Sequence, residues 1–419
     1  MPEIADLSRH IEKHLPDDVV EFLKAAGKAA QRQQQRSYLV GGMVRDLLLE
    51  RENLDIDIVV EGDAIKLAHE LADDNQDVKI TEHRRFGTAK IRRDGREIDV
   101  VTARAETYAI PGALPVVRPG TIGDDLARRD FTINAMAVEL SPRRFGELLD
   151  PHNGRNDLDH KLVRVLHEKS FIDDATRIWR AIRYEQRLDF RMELATLELL
   201  KQSTVWLKTI SGDRIRHELE LVLKEEQPEK ALYRADELGV LAELHPSLKG
   251  DIWLMETFAL AYEYALPDPP SPQLYLALLA YRLNITEIEQ LIAFLRLPKT
   301  TAKALRETVS LKNMIGELAS PGMPPSRIYK ILNGYGTIAL TANLLATDDD
   351  AAEENIELYM NVLKYVRPSL KGEDIRKLGI RSGPEISEVL ERLMEARLDG
   401  KVSTWREEEA MVRGMAGDN

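Results

Sequence analysis

The stretch YLVGGMVRDLLLERENLDIDIVV, residues 38–60, sets two adjacent glycines in front of a helical pattern, then places Asp55 and Asp57 in a run that is otherwise Leu, Ile and Val. Carboxylates are poor strand formers and costly to bury unpaired, so their position needs a cause. Side chains alternate along a strand, which sends Asp55 and Asp57 to one face and Ile56 and Ile58 to the core. Two carboxylates on one face repel unless a cation sits between them, and oxygen ligands at that spacing suit Mg²⁺. A bare Asp-x-Asp reads more simply as two solvent-facing aspartates on a half-exposed strand. The preceding LVGGMVRD shifts that balance. It follows a strand and opens a helix, so Gly41 and Gly42 would let backbone N–H groups approach an anion at a positive helix end. A phosphate grip and metal carboxylates in one segment point to a nucleotide site. Asp99, in REIDVV, is the candidate third carboxylate of a two-metal arrangement, and an ordinary surface aspartate would look the same.

With 419 residues the chain is too long for one ordinary core, and two to four domains are expected. A hydrophobic content of 43% with 31% charged residues is that of a globular protein. The absence of cysteine excludes disulfides and thiolate metal sites and fits a reducing compartment. The opening MPEIADLSRHIEKHLPDD has no apolar core of the signal-peptide kind and reads as a polar amphipathic helix. No apolar run approaches the ~20 residues of a membrane span, so a soluble, cytoplasmic protein is expected. The net charge of −13 argues against a general nucleic-acid binder, but the charges are segregated. Acid collects in DDDAAEEN (348–355), and basic residues concentrate after Asp173 and again over residues 364–381.

SYLVGG, LDIDIVV, DVKIT, TAKIRRDGREIDVVTAR and NAMAVEL read as strands, with an Asp94-Gly95 hairpin turn inside the fourth. MVRDLLLE and DAIKLAHELADD read as intervening helices, giving a small α/β domain that ends near Pro142. From about Phe171 onward the period is helical and strands are absent; proline-rich breaks at 266–273 and 319–326 divide this region into modules.

Two further segments carry chemistry. In DLARRDFTINAMAV (125–138), Arg128, Arg129 and Asp130 sit at the mouth of a buried run; arginine there would suit a triphosphate, and Asp130 or Asn134 a ribose hydroxyl. Taken alone this is also what an ordinary charged loop looks like. In SFIDDATRIWRAIRYEQRLDF, read as a single helix, Arg177, Arg180, Arg183, Arg187 and Arg191 fall within roughly 120° of arc. Ile178, Ala181, Ile182 and Leu188 form a separate core face. Without acids on the same arc, the arginine stripe suits a polyanion or is a solvated basic face.

The ordered set GGMVRD…LDIDIVV, RRDFTINAMA, LLDPHNGRNDLDHKLVRVL, DDATRIWRAIRYEQRLDF and ISGDRIRHELELVL resembles the five motifs of the class II tRNA nucleotidyltransferases and bacterial poly(A) polymerases. The likeness runs over residues 38–223 and continues more weakly to the C-terminus. It implies an α+β nucleotidyltransferase head with a polymerase-β-like mixed sheet (1–142), followed by an all-α neck (143–228), body (229–322) and tail (323–419). It further implies an enzyme that adds CMP and/or AMP from CTP or ATP to a tRNA 3′ end with Mg²⁺ as cofactor. Gly41, Gly42 and Arg45 would hold the triphosphate with Asp46 bracing the turn, and Asp55 and Asp57 would bind metal, with Asp99 as the third catalytic carboxylate. Arg128, Arg129, Asp130 and Asn134 would orient phosphates and ribose, and residues 150–158 would form a hinge. Asp174 and Arg177 would read the base edge beside Arg180 and Arg183, with Arg214 and Glu218 stabilising the helix packing behind.

An aspartate accepts from the exocyclic amino group that cytosine and adenine share, and rejects the carbonyl of uracil or guanine. Lys364, Arg367, Lys371, Arg376, Lys377 and Arg381 surround LGIRSGPE in the tail and would grip tRNA, or form a plain helix corner with solvated lysines. Two departures stand out. The base-reading motif begins Asp173-Asp174 rather than Glu-Asp. The loop ETYAIPGALPVVRPGTIGDD is unusually apolar, which leaves an A-adding or CC-adding specialist, or a poly(A) polymerase, as alternatives. A small-molecule nucleotidyltransferase would share the metal chemistry but needs no long helical extension.

Overall fold

The run Arg36–Val40 forms the strand around which the head assembles. In the computed structural model, which describes residues 6–72, 78–93, 95–380 and 383–417, the chain divides into two units, Met1–Gln227 and Pro228–Asn419. The first unit begins with helices α1 (Ser8–His14) and α2 (Asp17–Arg32), then β1 (Arg36–Val40), α3 (Gly42–Leu48), β2 (Ile56–Glu61) and α4 (Ala64–Ala72). Strands β3 (Lys79–His83), β4 (Thr88–Arg93) and β5 (Arg96–Thr102) follow, then β6 (Arg104–Thr107), β7 (Val116–Pro119), α5 (Ile122–Ala127), β8 (Ala137–Glu139) and β9 (Leu148–Leu149). Asp94 of the expected hairpin turn lies outside the described residues; Gly95 beside it takes φ 76°.

Seven strands form one mixed sheet in the order β3-β4-β5-β2-β1-β8-β9. Only β2 and β5 run parallel, with Asp57 opposite Asp99. Tyr38, Val40 and Val59 pack with Ile122 and Leu126 of α5, while α2 and α4 pack together and against β1, β4 and β5. The mixed sheet with helices, followed by a mostly helical remainder, is the fold class expected from the sequence. The sheet extends past Pro142, however, because β9 adds an edge strand to β8. The apolar loop of residues 106–125 carries most of the antiparallel β6–β7 hairpin, which starts at Arg104.

Beyond the sheet come α6 (Gly154–Asp159), β10 (Leu162–Val163), α7 (Ser170–Asp173), α8 (Thr176–Leu188), β11 (Arg191–Met192), α9 (Leu194–Ser203) and α10 (Gly212–Val222). Strands are therefore not absent after Phe171, since Arg191–Met192 pairs in parallel with Leu162–Val163. Nor is the arginine segment a single helix. Asp174 is extended between α7 and α8, and Asp189 takes a left-handed turn (φ 56°) that ends α8, so Arg191 leaves the stripe for β11. The second unit is helical in its described residues; both proline-rich breaks fall between helices, after Ala265 and after Leu318. Its Leu311–Leu363 helices share one core cluster, and Leu370, Ile375, Leu393 and Val412 belong to another. No described helix is long and apolar enough to cross a membrane.

Helix α2 crosses the segment after β8 so closely that a Cβ on Gly27 would lie 1.7 Å from the Leu140 carbonyl oxygen. Gly27→Ala is expected to cost about 1–3 kcal/mol, seen as a lower urea midpoint. A change below about 0.5 kcal/mol would mean that this contact adjusts without strain.

Candidate active site

The site starts where β1 ends. Gly41 has φ 73°, a backbone conformation that side chains rarely adopt, and a Cβ there would come within 2.8 Å of an Arg129 guanidinium nitrogen and 3.7 Å of Asp57 Oδ2. The glycine turn, Arg129 and Asp57 are thus brought together. Four residues on, Arg45 is buried and also lines the cleft. Its Nε and Nη2 donate to Asp46 at 2.8 and 2.7 Å, its Nη1 donates to Asn134 Oδ1 at 2.7 Å, and Asn53 Nδ2 also donates to Asp46. Asp46 thus holds Arg45 and Asn53, and Arg45 ties the helix after the turn to Asn134.

Asp55, Asp57 and Asp99 each place a carboxylate oxygen within 4.8 Å of the others. Asp55 lies just before β2 rather than in it, and Ile56 and Ile58 are buried in the core as the alternation required. Asp99 also meets Lys90 Nζ at 3.5 Å. Burial and the neighbouring Asp55 charge push the Asp57 carboxyl up to about 6, Asp99 adding to the effect against Arg129 and Lys90. Three crowded carboxylates, one of them resisting ionisation, are a donor set that fits a hard divalent cation.

Above this floor stands a wall of arginines. Asp125, fully buried at the end of α5, accepts from Arg128 (Nη2, 2.6 Å) and Arg129 (Nη2, 2.9 Å) and so fixes both. Its place three and four residues before them was the signal that sequence reading passed over. Asp130 is buried; its Oδ2 accepts from Arg180 Nε at 2.8 Å and Nη2 at 2.5 Å, and its Oδ1 from Asn134 and the Phe131 amide. Burial alone would raise its pKa, but the Arg180 charge and these hydrogen bonds override it and hold the carboxyl at about 2.

On the far side, Asp174 Oδ1 accepts from Thr176 (N 3.0 Å, Oγ1 2.7 Å) and from Arg214 Nη2 at 2.8 Å. Arg177 is buried and donates to Ser170 Oγ and to the Arg128 carbonyl. Arg214 therefore bonds Asp174 directly instead of packing behind the pocket. The expectation that the stripe lacks acids is corrected as well. Arg180 pairs with Asp130, Arg183 lies 3.4 Å from Glu225 and 3.9 Å from Glu218, and Arg187 makes two 2.8 Å bonds to Glu225. The acids come from other elements, which a one-helix projection cannot display.

These groups line one cleft of about 840 Å³, from Gly41, Gly42, Asp55 and Asp57 through Arg128 to Asn134 and on to Asp174, Arg177, Arg180, Arg183, Arg214 and Glu218. Arg104, Glu106, Tyr108 and Tyr184 line it too, unanticipated. Glu106 binds Arg128 and accepts from Tyr108, placing the β6–β7 hairpin in the wall. Tyr184 lies against three guanidiniums, Arg45 and Arg183 at 5.1 Å and Arg180 at 5.7 Å from its ring centroid. In the expected hinge, Asp150 caps the start of α6 by accepting from the Gly154 and Arg155 amides. In the second unit Lys364 is half-buried over the Tyr365 ring, and Arg367, Lys371, Arg376 and Lys377 are exposed on the 364–377 segment. Arg381 lies outside the described residues.

Fold and cleft together define a nucleotidyltransferase head of the polymerase type: residues 37–164 match the Poly A polymerase head domain, and 189–251 the probable RNA and SrmB-binding site of polymerase A. The A-adding tRNA nucleotidyltransferase of Geobacter sulfurreducens is 34% identical over 98% of this chain, which spans 48% of that relative's length. The A-adding tRNA nucleotidyltransferase of Halalkalibacterium halodurans is 32% identical, covering 92% of this chain and 90% of its own. An apo CCA-adding enzyme structure superposes with a TM-score of 0.86 at 33% identity over 99% of this chain and 100% of that one. The Thermotoga maritima CCA-adding enzyme complexed with tRNA does so at 0.79 and 32%, over 99% and 100%. The chain belongs to the class II tRNA nucleotidyltransferases.

Two titrations follow. The folded state raises the Asp57 pKa from 3.8 to about 6, so its charge destabilises the fold at neutral pH, and stability is regained as pH falls through 6. In chelator, Asp57→Asn is expected to stabilise the protein at pH 7 by on the order of 1 kcal/mol, and Mg²⁺ should raise the melting temperature of wild type but not of the variant. A variant that melts lower than wild type in chelator would remove the repulsion argument. Asp130 has the opposite sign. Its stabilisation is present above the unfolded value of 3.8 and lost as pH falls toward 2. Asp130→Asn should lose roughly 3 kcal/mol in denaturant unfolding at pH 7 and flatten the acid limb between pH 4 and 2; an unchanged limb would place that limb elsewhere.

Proposed function

We propose that the protein is an enzyme that transfers CMP and/or AMP from CTP or ATP to the 3′ end of tRNA in the cytoplasm, without a template and with release of pyrophosphate. The observation that carries this reading is the convergence of Asp55, Asp57 and Asp99 at the foot of an arginine-walled cleft. Asp55 and Asp57, with Asp99 beside them, would hold Mg²⁺, which when bound lowers the pKa of the attacking 3′-hydroxyl and offsets charge on the departing pyrophosphate.

The remaining roles belong to the chain. The Gly41-Gly42 backbone and Arg129, held by Asp125, receive the triphosphate. Asn134 and Asp130, locked by Arg45 and Arg180, face the ribose. Asp174, oriented through Oδ1 by Thr176 and Arg214, accepts from the amino group shared by cytosine and adenine, and Arg177 donates beside it. Loss of that pairing against a wrong base costs about 1–3 kcal/mol, a discrimination of tenfold or more. The head (1–142) and neck (143–228) supply this chemistry. The body (229–322) and tail (323–419) would grip the tRNA, with Lys364, Arg367, Lys371, Arg376 and Lys377 as phosphate contacts.

A second reading restricts the product to the terminal A. It is favoured by the A-adding relatives at 34% and 32% identity and by the apolar hairpin tip, where Ile110 and Leu114 are exposed.

The test offers the purified protein tRNAs that end before the two cytidines, after them, or complete, with labelled CTP or ATP. Label in A only on the CC-ended tRNA selects the A-adding reading, sequential C and A the CCA-adding one, and C without A a CC-adding enzyme. Incorporation of neither label would overturn the enzyme assignment. Asp55→Ala with Asp57→Ala is expected to lower transfer by at least about a thousandfold while tRNA binding in a filter assay holds; near-wild-type turnover would refute the metal role.

A further inference from the structure

On the head, away from the residues that line the cleft, His10, His14 and Glu50 form a second group of ligating side chains. One ring nitrogen of each histidine and a Glu50 carboxylate oxygen lie within 4.8 Å of one another. The geometry points to a further metal site, one for a borderline divalent ion such as Zn²⁺, that ties α1 to the end of α3.

Three observations converge on it. First, the histidines are four residues apart in α1, so they stack on one helix face, their ring centroids 4.3 Å apart. Second, Nε2 of His10 lies 2.9 Å from the Leu47 carbonyl oxygen. A carbonyl only accepts, so that nitrogen carries the proton and the lone pair is on Nδ1. A histidine whose other ring nitrogen donates to a backbone carbonyl is oriented as metal-bound histidines are. Third, His14 Nε2 is buried with no hydrogen-bond partner and faces Glu50 Oε1 at 3.8 Å. That gap is too long for a hydrogen bond. It lies within the ~4.2 Å that two ~2.1 Å ligand bonds to one ion can span. An unsatisfied imidazole nitrogen opposite a carboxylate is otherwise a cost, and an ion between them removes it.

Two imidazoles and one carboxylate suit Zn²⁺ or Co²⁺ in preference to Mg²⁺, which prefers an all-oxygen set. This separates the site chemically from the Asp55–Asp57–Asp99 floor. The ion's place is structural: α3 begins at the Gly41-Gly42 turn and ends next to Glu50, so anchoring its end fixes the helix that carries the turn.

The test titrates full-length protein, stripped with chelator and held in excess Mg²⁺ to occupy the carboxylate floor, with Co²⁺ followed by visible absorption and with Zn²⁺ by calorimetry. Wild type is expected to bind one ion and to melt higher once loaded. His14→Ala should lose the absorption band and the melting shift. Glu50→Gln, an exposed change that leaves the helices intact, should weaken binding at least roughly tenfold. Equal binding by wild type and His14→Ala, or no ion retained by wild type, overturns the proposal.

Discussion

The salt bridge between Asp130 and Arg180 is the contact on which the arrangement of the cleft depends. Asp130 belongs to the segment that follows α5, and Arg180 to α8, fifty residues on. From this pair a chain of hydrogen bonds runs without interruption, buried at first and open to solvent at its end: Asp130 to Asn134, Asn134 to Arg45, Arg45 to Asp46, and Asp46 to Asn53, whose Oδ1 receives the Asp55 amide. The position of Asp55 is thus tied to α8 through five side chains. Removing one partner from such a pair strands a buried charge, whereas the intact network leaves little freedom for any member to turn.

That rigidity has a chemical use. Arginines free in water would have to be collected around a polyanion at each encounter, at an entropic cost. Here Asp125 holds Arg128 and Arg129, Asp130 holds Arg180, and Glu225 holds Arg187, so the wall stands before ligand arrives. Charge that is preorganised acts without reorganising at the moment of reaction, which is the basis of electrostatic stabilisation of a transition state. The floor is built the other way. Parallel pairing of β2 and β5 forces Asp57 beside Asp99, and the repulsion is left uncompensated by protein apart from Arg129 and Lys90. One set of charges is satisfied internally, and the other stays in tension that a cation can relieve.

How far the sequence reveals this depends on the range of each interaction. Local pattern located β1, β2, β4 and β5 and the alternation that turns Asp57 to the opposite face from the buried Ile56 and Ile58, because each is decided within a few residues. The family likeness brought the separate motifs into one site. What stayed hidden was the partner of each charge. Arg180 and Asp130 are fifty residues apart, and Arg187 and Glu225 thirty-eight, so a helix projection showed a bare arginine stripe where the fold supplies acids. The β6–β7 hairpin was hidden for another reason. Its strands are four residues each, and the proline and glycine between them look like irregular chain until pairing with each other is taken into account.

The charge balance of the molecule follows from the same separation of local from global. A net charge of −13 would repel a polyanion approaching at random. Field within a cleft is set by what lines it, and the lining counts Arg104, Arg128, Arg129, Arg177, Arg180, Arg183 and Arg214 among its members. The surplus acid lies elsewhere: in the second unit the helix Asp350–Asn361 opens with Asp350 and Glu353 and is capped by Asp349. Exposed charge is screened beyond a Debye length of ~8 Å, so it is the arginines of the cleft, at contact distance, that a bound anion meets. An anionic ligand is therefore stabilised where the glycine turn and the arginine wall meet, because the local field and not the net charge of −13 acts there.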